Sequence, residues 1–298
     1  MATVDSQAAA AGPLARVPSG GLVLGAIASV QFGSAVAATL FARVGPAGTV
    51  FLRLLFGSLI LTAFWRPSLR GRRREDLLLA ALFGLVLGAM NLSFYEALQR
   101  VPLGIAVALE FVGPLTVAIA GSRHRRDLLW VAFALAGILA LTRPGAAHSL
   151  DGFGVALALL AGCFWGLYIV LNARLGRRFE GGSGLTVAMW VAALALLPAG
   201  VAAGGGSLLS GEAIGLGAAI GLLSSAIPYS FEVEALRRIA THVFGVLMSI
   251  EPAMAALAGL IVLGQRLAVR ELIGIALVVI ASVGASRGVR ESEPPVDV

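Results

Sequence analysis

Lysine is absent from the 298 residues, and cysteine, histidine and charge are all scarce. Without lysine there is no Walker A loop, whose lysine must reach the phosphates, and no Schiff-base amine. The single Cys163 excludes an intramolecular disulfide framework. It sits in an apolar run and reads as a small packing residue. The three histidines, His124, His148 and His242, all fall between apolar runs or at their ends. None is placed to act as a buried base, and no His-Glu-x-x-His pair exists for zinc. Charged residues make up 13% of the chain, half the roughly 25% of a soluble domain. Hydrophobic residues make up 58%, and the mean hydropathy is +0.93. That balance excludes an ordinary cytosolic enzyme.

Long apolar runs take the place of charge. Ten can be marked, at 20–42, 47–64, 77–98, 103–120, 128–142, 153–171, 185–203, 213–235, 243–263 and 272–286. A bilayer-spanning helix needs about 20 mainly apolar residues. Several runs go 15 residues or more without a charge, too long for strands. The period-two alternation of a membrane barrel is missing. The expected fold is all-α, a polytopic membrane protein with ten transmembrane helices. Their backbone groups pair within each helix, as a lipid solvent demands. The first run is longer than a signal peptide's apolar core and follows only Arg16, so it is expected to stay in the membrane.

The arginines take sides. With ten helices both termini lie on one face. That face carries Arg16, Arg66, Arg70, Arg72, Arg73, Arg74, Arg123, Arg125, Arg126, Arg174, Arg177, Arg178, Arg237, Arg238, Arg287 and Arg290. The other carries Arg43, Arg100, Arg143, Arg266 and Arg270. The positive-inside rule makes the first face cytoplasmic, in an inner membrane. The net charge of +6 is thus a topology signal and not a nucleic-acid footprint. Residues 1–19 and 287–298 are polar or rich in Ala and Pro, and read as disordered cytoplasmic tails.

The chain repeats itself. Glu96-Ala-Leu-Gln-Arg100 matches Glu234-Ala-Leu-Arg-Arg238 at an offset of 138. Pro114, Ala118 and Ala120-Gly121 meet Pro252, Ala256 and Ala258-Gly259 at the same offset. After a one-residue slip, Ser93-Phe94 meets Ser230-Phe231, and Ala80, Gly84 and Gly88 meet Gly217, Gly221 and Ser225. These are stripes of small residues, which let helices approach closely in lipid. Gln31-Phe-Gly33 resembles Phe164-Trp-Gly166, and Ala42-Arg-Val-Gly45 resembles Ala173-Arg-Leu-Gly176. The halves are 20–142 and 153–286, each with five helices. Five is odd, so the copies are inverted, a frequent plan for secondary transporters.

Each half resembles the EamA-type repeat of the drug/metabolite transporter superfamily. The closer match is to its threonine/homoserine exporter branch. It rests on Val101-Pro-Leu-Gly-Ile-Ala-Val-Ala-Leu-Glu110-Phe-Val-Gly-Pro114, on Ser224-Ser-Ala-Ile-Pro-Tyr-Ser230, and on Phe244-Gly-Val-Leu-Met-Ser-Ile-Glu251-Pro252 with the Ala-Met-Ala-Ala that follows. The resemblance covers about 20 to 286. It implies ten helices, a cavity between the halves, and export of small metabolites driven by an ion gradient. Threonine or homoserine is the substrate it implies; antiport with protons is the expectation that buried acids in the apolar runs motivate. The resemblance also puts Asn91 and Trp165 near the pocket.

An ionisable group inside the membrane is a functional candidate by default. Arg53 lies well inside the second run. It is either an anchor for a substrate carboxylate, held bidentately, or half of a structural ion pair. Glu110 lies roughly 12 Å down its helix, at 1.5 Å per residue, and Glu251 about as deep in the ninth. Each closely precedes a proline, Pro114 or Pro252, which frees a carbonyl and permits a kink. One acid suits a substrate ammonium and one a coupling proton; the alternative is a backbone-bonded core glutamate. Gln31, Asn91, Tyr95, Trp165, Tyr168, Ser225 and Tyr229 are candidate cavity-lining groups. Glu96 with Arg100, and Glu234 with Arg238, read as interfacial i,i+4 ion pairs, and Glu232 as another boundary residue.

Other classes are weaker. Gly181-Gly-Ser183-Gly184 has the short form of a rhomboid-protease motif, but it falls between apolar runs. Neither filter loops nor charged rings of a channel appear. The rival within transport is export of amphipathic drugs or another metabolite. No cofactor or metal is expected. The partners are a small molecule, protons and the lipid bilayer. The oligomeric state is left open.

Overall fold

The computed structural model describes residues 17–67, 71–120, 127–142, 151–236, 238–239 and 241–288. Most of both tails, the loop arginines Arg123, Arg125, Arg126 and Arg143, and the histidines His124 and His148 lie outside those residues. Among the described residues all regular structure is helical. The helices are α1 (Ser19–Trp65), α2 (Arg74–Leu98), α3 (Leu103–Glu110), α4 (Val112–Ala120), α5 (Asp127–Thr142) and α6 (Gly152–Leu175). They continue with α7 (Ser183–Gly204), α8 (Gly211–Gly221), α9 (Ile227–Leu236), α10 (Thr241–Met248), α11 (Glu251–Leu263) and α12 (Val269–Gly288). A 3-10 turn (Gly205–Leu209) follows α7, and a π-turn (Leu222–Ala226) joins α8 to α9.

All ten apolar runs are therefore helical. The first two share α1, whose 47 residues would stretch about 70 Å if straight. Gly45 breaks it, with φ +69 and ψ 169, just before Pro46. A proline disfavours helix in the residue before it, and only glycine takes that positive φ without strain. The fourth run divides into α3 and α4 just before Pro114, and the ninth into α10 and α11 just before Pro252. Among the described residues, seven helices are by length and composition apolar enough to cross a bilayer, with two shorter ones at 103–117 and 128–142.

The surface is inverted relative to a soluble protein. On α2, Leu78, Leu82 and Leu85 point outward, while Phe83, Leu87, Asn91 and Tyr95 point inward. The polar groups are inside and the leucines outside, as a lipid solvent requires. Cys163 is exposed on α6. This corrects its assignment as a packing residue: a thiol is apolar enough to sit on the outer face among leucines.

The two halves interleave. The first leg of α1 lies on the π-turn and α9, and its second leg on α7 and α8. In the same way α2 lies on α6 and α7, α3 on α11, and α5 on α12. The small-residue stripes make these crossings close. A methyl at Gly84 would overlap the Ala188 carbonyl, and one at Gly221 would lie 2.8 Å from the Gly57 nitrogen. Closest of all, Gly113 of α4 abuts the Gly162 carbonyl of α6. Backbone on one side cannot rotate away as a side chain can. Gly113→Ala is therefore expected to cost upwards of about 3 kcal/mol, read as a large fall in thermal stability in detergent. An unchanged melting temperature would show that α4 shifts freely.

Candidate functional site

The broken helices converge on a buried polar cluster. Arg53, on the second leg of α1, is 7% exposed. Its Nη1 donates to the Tyr95 hydroxyl at 3.1 Å and its Nη2 to the Ser224 carbonyl at 2.9 Å. The guanidinium carbon lies 5.6 Å from the Tyr95 ring centre. Tyr95 is fully buried and held by Phe41 and Phe94, with ring centres 5.6 and 6.0 Å away. Among the described residues no carboxylate lies within 4 Å of Arg53. The structural ion pair is thus absent, although Glu110 is within electrostatic reach.

Glu110 ends α3 and is 8% exposed; Glu251 begins α11 and is 6% exposed. The two carboxylates interact electrostatically across the helix breaks. Gln31, on the first leg of α1, donates Nε2 to Glu251 Oε1 at 3.1 Å. Beside Glu110, Phe111 meets the half-buried Trp165 edge-on, ring centres 5.0 Å apart. Pro114 has no N–H for the Glu110 carbonyl, and Gly162 of α6 packs against that carbonyl.

Four buried polar atoms in this cluster have no hydrogen-bond partner: Arg53 Nε, Ser224 Oγ, Gln31 Oε1 and Glu251 Oε2. A buried polar atom without a partner costs about 1–3 kcal/mol. Such atoms mark where a ligand or water completes the site.

The structure therefore brings together Arg53, Tyr95, Glu110, Gln31 and Glu251, with Tyr229 within electrostatic reach of Arg53. Ser225 is buried against Gly57, one turn beyond Arg53. Asn91 is buried one turn from Tyr95, but its Nδ2 donates to the Leu87 carbonyl of its own helix at 2.8 Å. Sequence reasoning missed Ser29 and Ser224. Glu232 is half-buried where the apolar span of α8 and α9 ends, within electrostatic reach of Glu251, Tyr168 and Tyr229.

Ion pairs sit around the helix ends. Arg100 bonds Glu96 at 2.8 Å and faces Asp151 at 3.7 Å. Arg238 pairs with Glu234 and donates to the Val17 carbonyl at 3.0 Å. Arg43 meets Glu212 at 2.5 Å, and Arg178 meets Asp76 at 2.8 Å. The bond to Asp76 raises the Arg178 guanidinium above its usual range. Exposed pairs of this kind are screened by solvent and contribute little to stability. The Ser183 hydroxyl donates to the Glu180 carbonyl at 2.6 Å, in the turn that seats Trp65 against Gly181 and Gly182. Among the described residues no group of three His, Cys, Asp or Glu could hold a metal.

The sequence matches the EamA-like transporter family over residues 19–142 and again over 152–287. The chain belongs to this family. It is 42% identical over 271 residues to the threonine/homoserine exporter RhtA of Escherichia coli (strain K12), covering 91% of this chain and 92% of that one. It is 41% identical over 276 residues to the RhtA of Salmonella typhimurium (strain LT2), covering 92% and 93%. An uncharacterized transporter of Archaeoglobus fulgidus is 27% identical over 234 residues, 76% of this chain and 82% of that one. A crystal structure of a protein 18% identical superposes with a TM-score of 0.63 over 91% of this chain and 99% of the other, a likeness of fold alone. This EamA-family chain is a multi-pass membrane protein, and its named relatives are transporters rather than enzymes.

Proposed function

We propose that this chain is a secondary active transporter that exports a small neutral amino acid of the threonine/homoserine kind. Ten helices span the inner membrane as two inverted five-helix repeats, with both termini cytoplasmic. Transport is by proton antiport with alternating access. The observation that carries the substrate class is the division of the unpartnered buried atoms. Arg53 Nε donates, and the Ser224 hydroxyl can donate; Gln31 Oε1 and Glu251 Oε2 accept. An α-amino acid zwitterion needs donors around its carboxylate and acceptors around its ammonium. The Arg53 fork suits the first and Glu251 with Glu110 the second.

Several observations support the inverted repeat. The family profile matches twice. Exchanging the halves converts the contact of α1 with the π-turn and α9 into that of α6 with α2, and leaves the contact of α5 with α12 in place. Arg100 with Glu96 and Asp151 corresponds to Arg238 with Glu234 and the Val17 carbonyl. In an inverted repeat these related sets fall on opposite faces, where they suit the two ends of an alternating-access cycle.

The test is counterflow of labelled threonine in proteoliposomes, with homoserine, other amino acids and cationic dyes as competitors. Saturable exchange blocked by homoserine is expected. No threonine exchange, with a dye or another metabolite moving instead, would replace the substrate class and keep the fold.

A further inference from the structure

The π-turn at Leu222–Ala226 and the proline after it leave two backbone carbonyls without their i+4 helical donors. Ile227 donates its N–H to the Leu222 carbonyl, the i+5 bond that defines the turn. That N–H is no longer available to Leu223. The next residue, Pro228, has no N–H, so it serves neither Leu223 nor Ser224. Buried carbonyls must find partners elsewhere. The Ser29 hydroxyl donates to the Leu223 carbonyl at 2.7 Å, and Arg53 Nη2 to the Ser224 carbonyl at 2.9 Å.

Both donors sit on α1, one on each side of its break. Each has a glycine four residues later on the same face, Gly33 after Ser29 and Gly57 after Arg53. A methyl at Gly33 would overlap the Ser224 hydroxyl, and one at Gly57 would lie 3.1 Å from Ser225 Cβ. The π-turn is thus seated at four points, two donors and two glycines, by the first half of the chain. Ser224 and Ser225 are both 1% exposed in this seat.

We propose that Ser29 is a positioning residue for recognition of the substrate carboxylate. Its hydroxyl holds the π-turn in register, so the Ser224 hydroxyl and the Arg53 guanidinium face the same carboxylate. Arg53 is shared between the Ser224 carbonyl and the substrate. Ser29 is the donor that keeps the turn seated while Arg53 engages the ligand. Ser29 itself does not touch the substrate. The inference rests on the amino-acid reading of the site.

Two measurements on the full-length protein test it. In detergent without substrate, Ser29→Ala is expected to raise amide hydrogen exchange across 222–230, and Ser29→Thr to restore protection by returning the hydroxyl. In counterflow, Ser29→Ala is expected to raise the KM for threonine about fivefold, the effect of one lost hydrogen bond. Its kcat should stay within about twofold, and Ser29→Thr should recover the KM. Inhibition by threonine methyl ester, which lacks the carboxylate, should respond less than inhibition by threonine. Unchanged exchange in Ser29→Ala would overturn the clamp. Raised exchange with an unchanged KM would overturn the positioning role. Wild-type protein that moves no amino acid would refute the substrate reading instead, and the exchange measurement would still decide the clamp.

Discussion

Replacing Arg53 by alanine is expected to abolish amino-acid transport and leave the protein inserted and monodisperse. Arg53 is a buried cation whose bonds go to neutral groups, the Tyr95 hydroxyl and the Ser224 carbonyl. Its Nε has no partner. Carrying such a charge inside a membrane is costly, and a substrate carboxylate would offset that cost. Truncating one partner of a buried charge-assisted contact costs ~2–5 kcal/mol, or roughly 30-fold to several thousand-fold in transport. Arg53→Lys should fail almost as badly, because a point charge cannot serve two protein oxygens and a carboxylate at once. Detergent chromatography reports insertion and folding, and counterflow reports function. Wild-type transport by Arg53→Ala would make the residue a helix tie and nothing more.

The second large effect is loss of coupling in Glu110→Gln and Glu251→Gln. The two carboxylates interact across the helix breaks, and Gln31 holds one oxygen of Glu251. Neighbouring carboxylates repel when both are charged, so a proton and a substrate ammonium each relieve the pair. Binding of one then competes with binding of the other, which is the requirement for antiport. Proteoliposomes one pH unit more acidic inside should accumulate labelled threonine up to about tenfold for one-to-one exchange. The sign follows from antiport: protons leave as threonine enters. Either Gln variant should show no accumulation above the no-gradient level. Accumulation surviving in both would remove these acids from the coupling step.

The candidate site was legible in the sequence to the extent that burying charge is expensive. Arg53, Glu110 and Glu251 stood out as ions within apolar runs, and the structure brings them into one cluster. Ser29 was missed because a lone serine in an apolar run has no signature of its own. One clue to its role was present: Pro228, whose missing N–H leaves a carbonyl to be claimed. It does not name the claimant.

Composition and run length by themselves determined an all-helical membrane protein, because only helices and closed barrels pair their backbones in lipid, and long apolar runs without period-two alternation are not barrel strands. The prolines also determined where α3 and α10 break, since a missing N–H is a local fact. Only the tertiary structure decided that Arg53 binds a hydroxyl and a carbonyl rather than a carboxylate. Only it decided that Gln31 reaches Glu251, and that Cys163 faces outward. Those partners lie 42 to 220 residues apart in the chain. They meet because glycines at helix crossings let the two halves interleave, a property of shape that no single run of sequence contains.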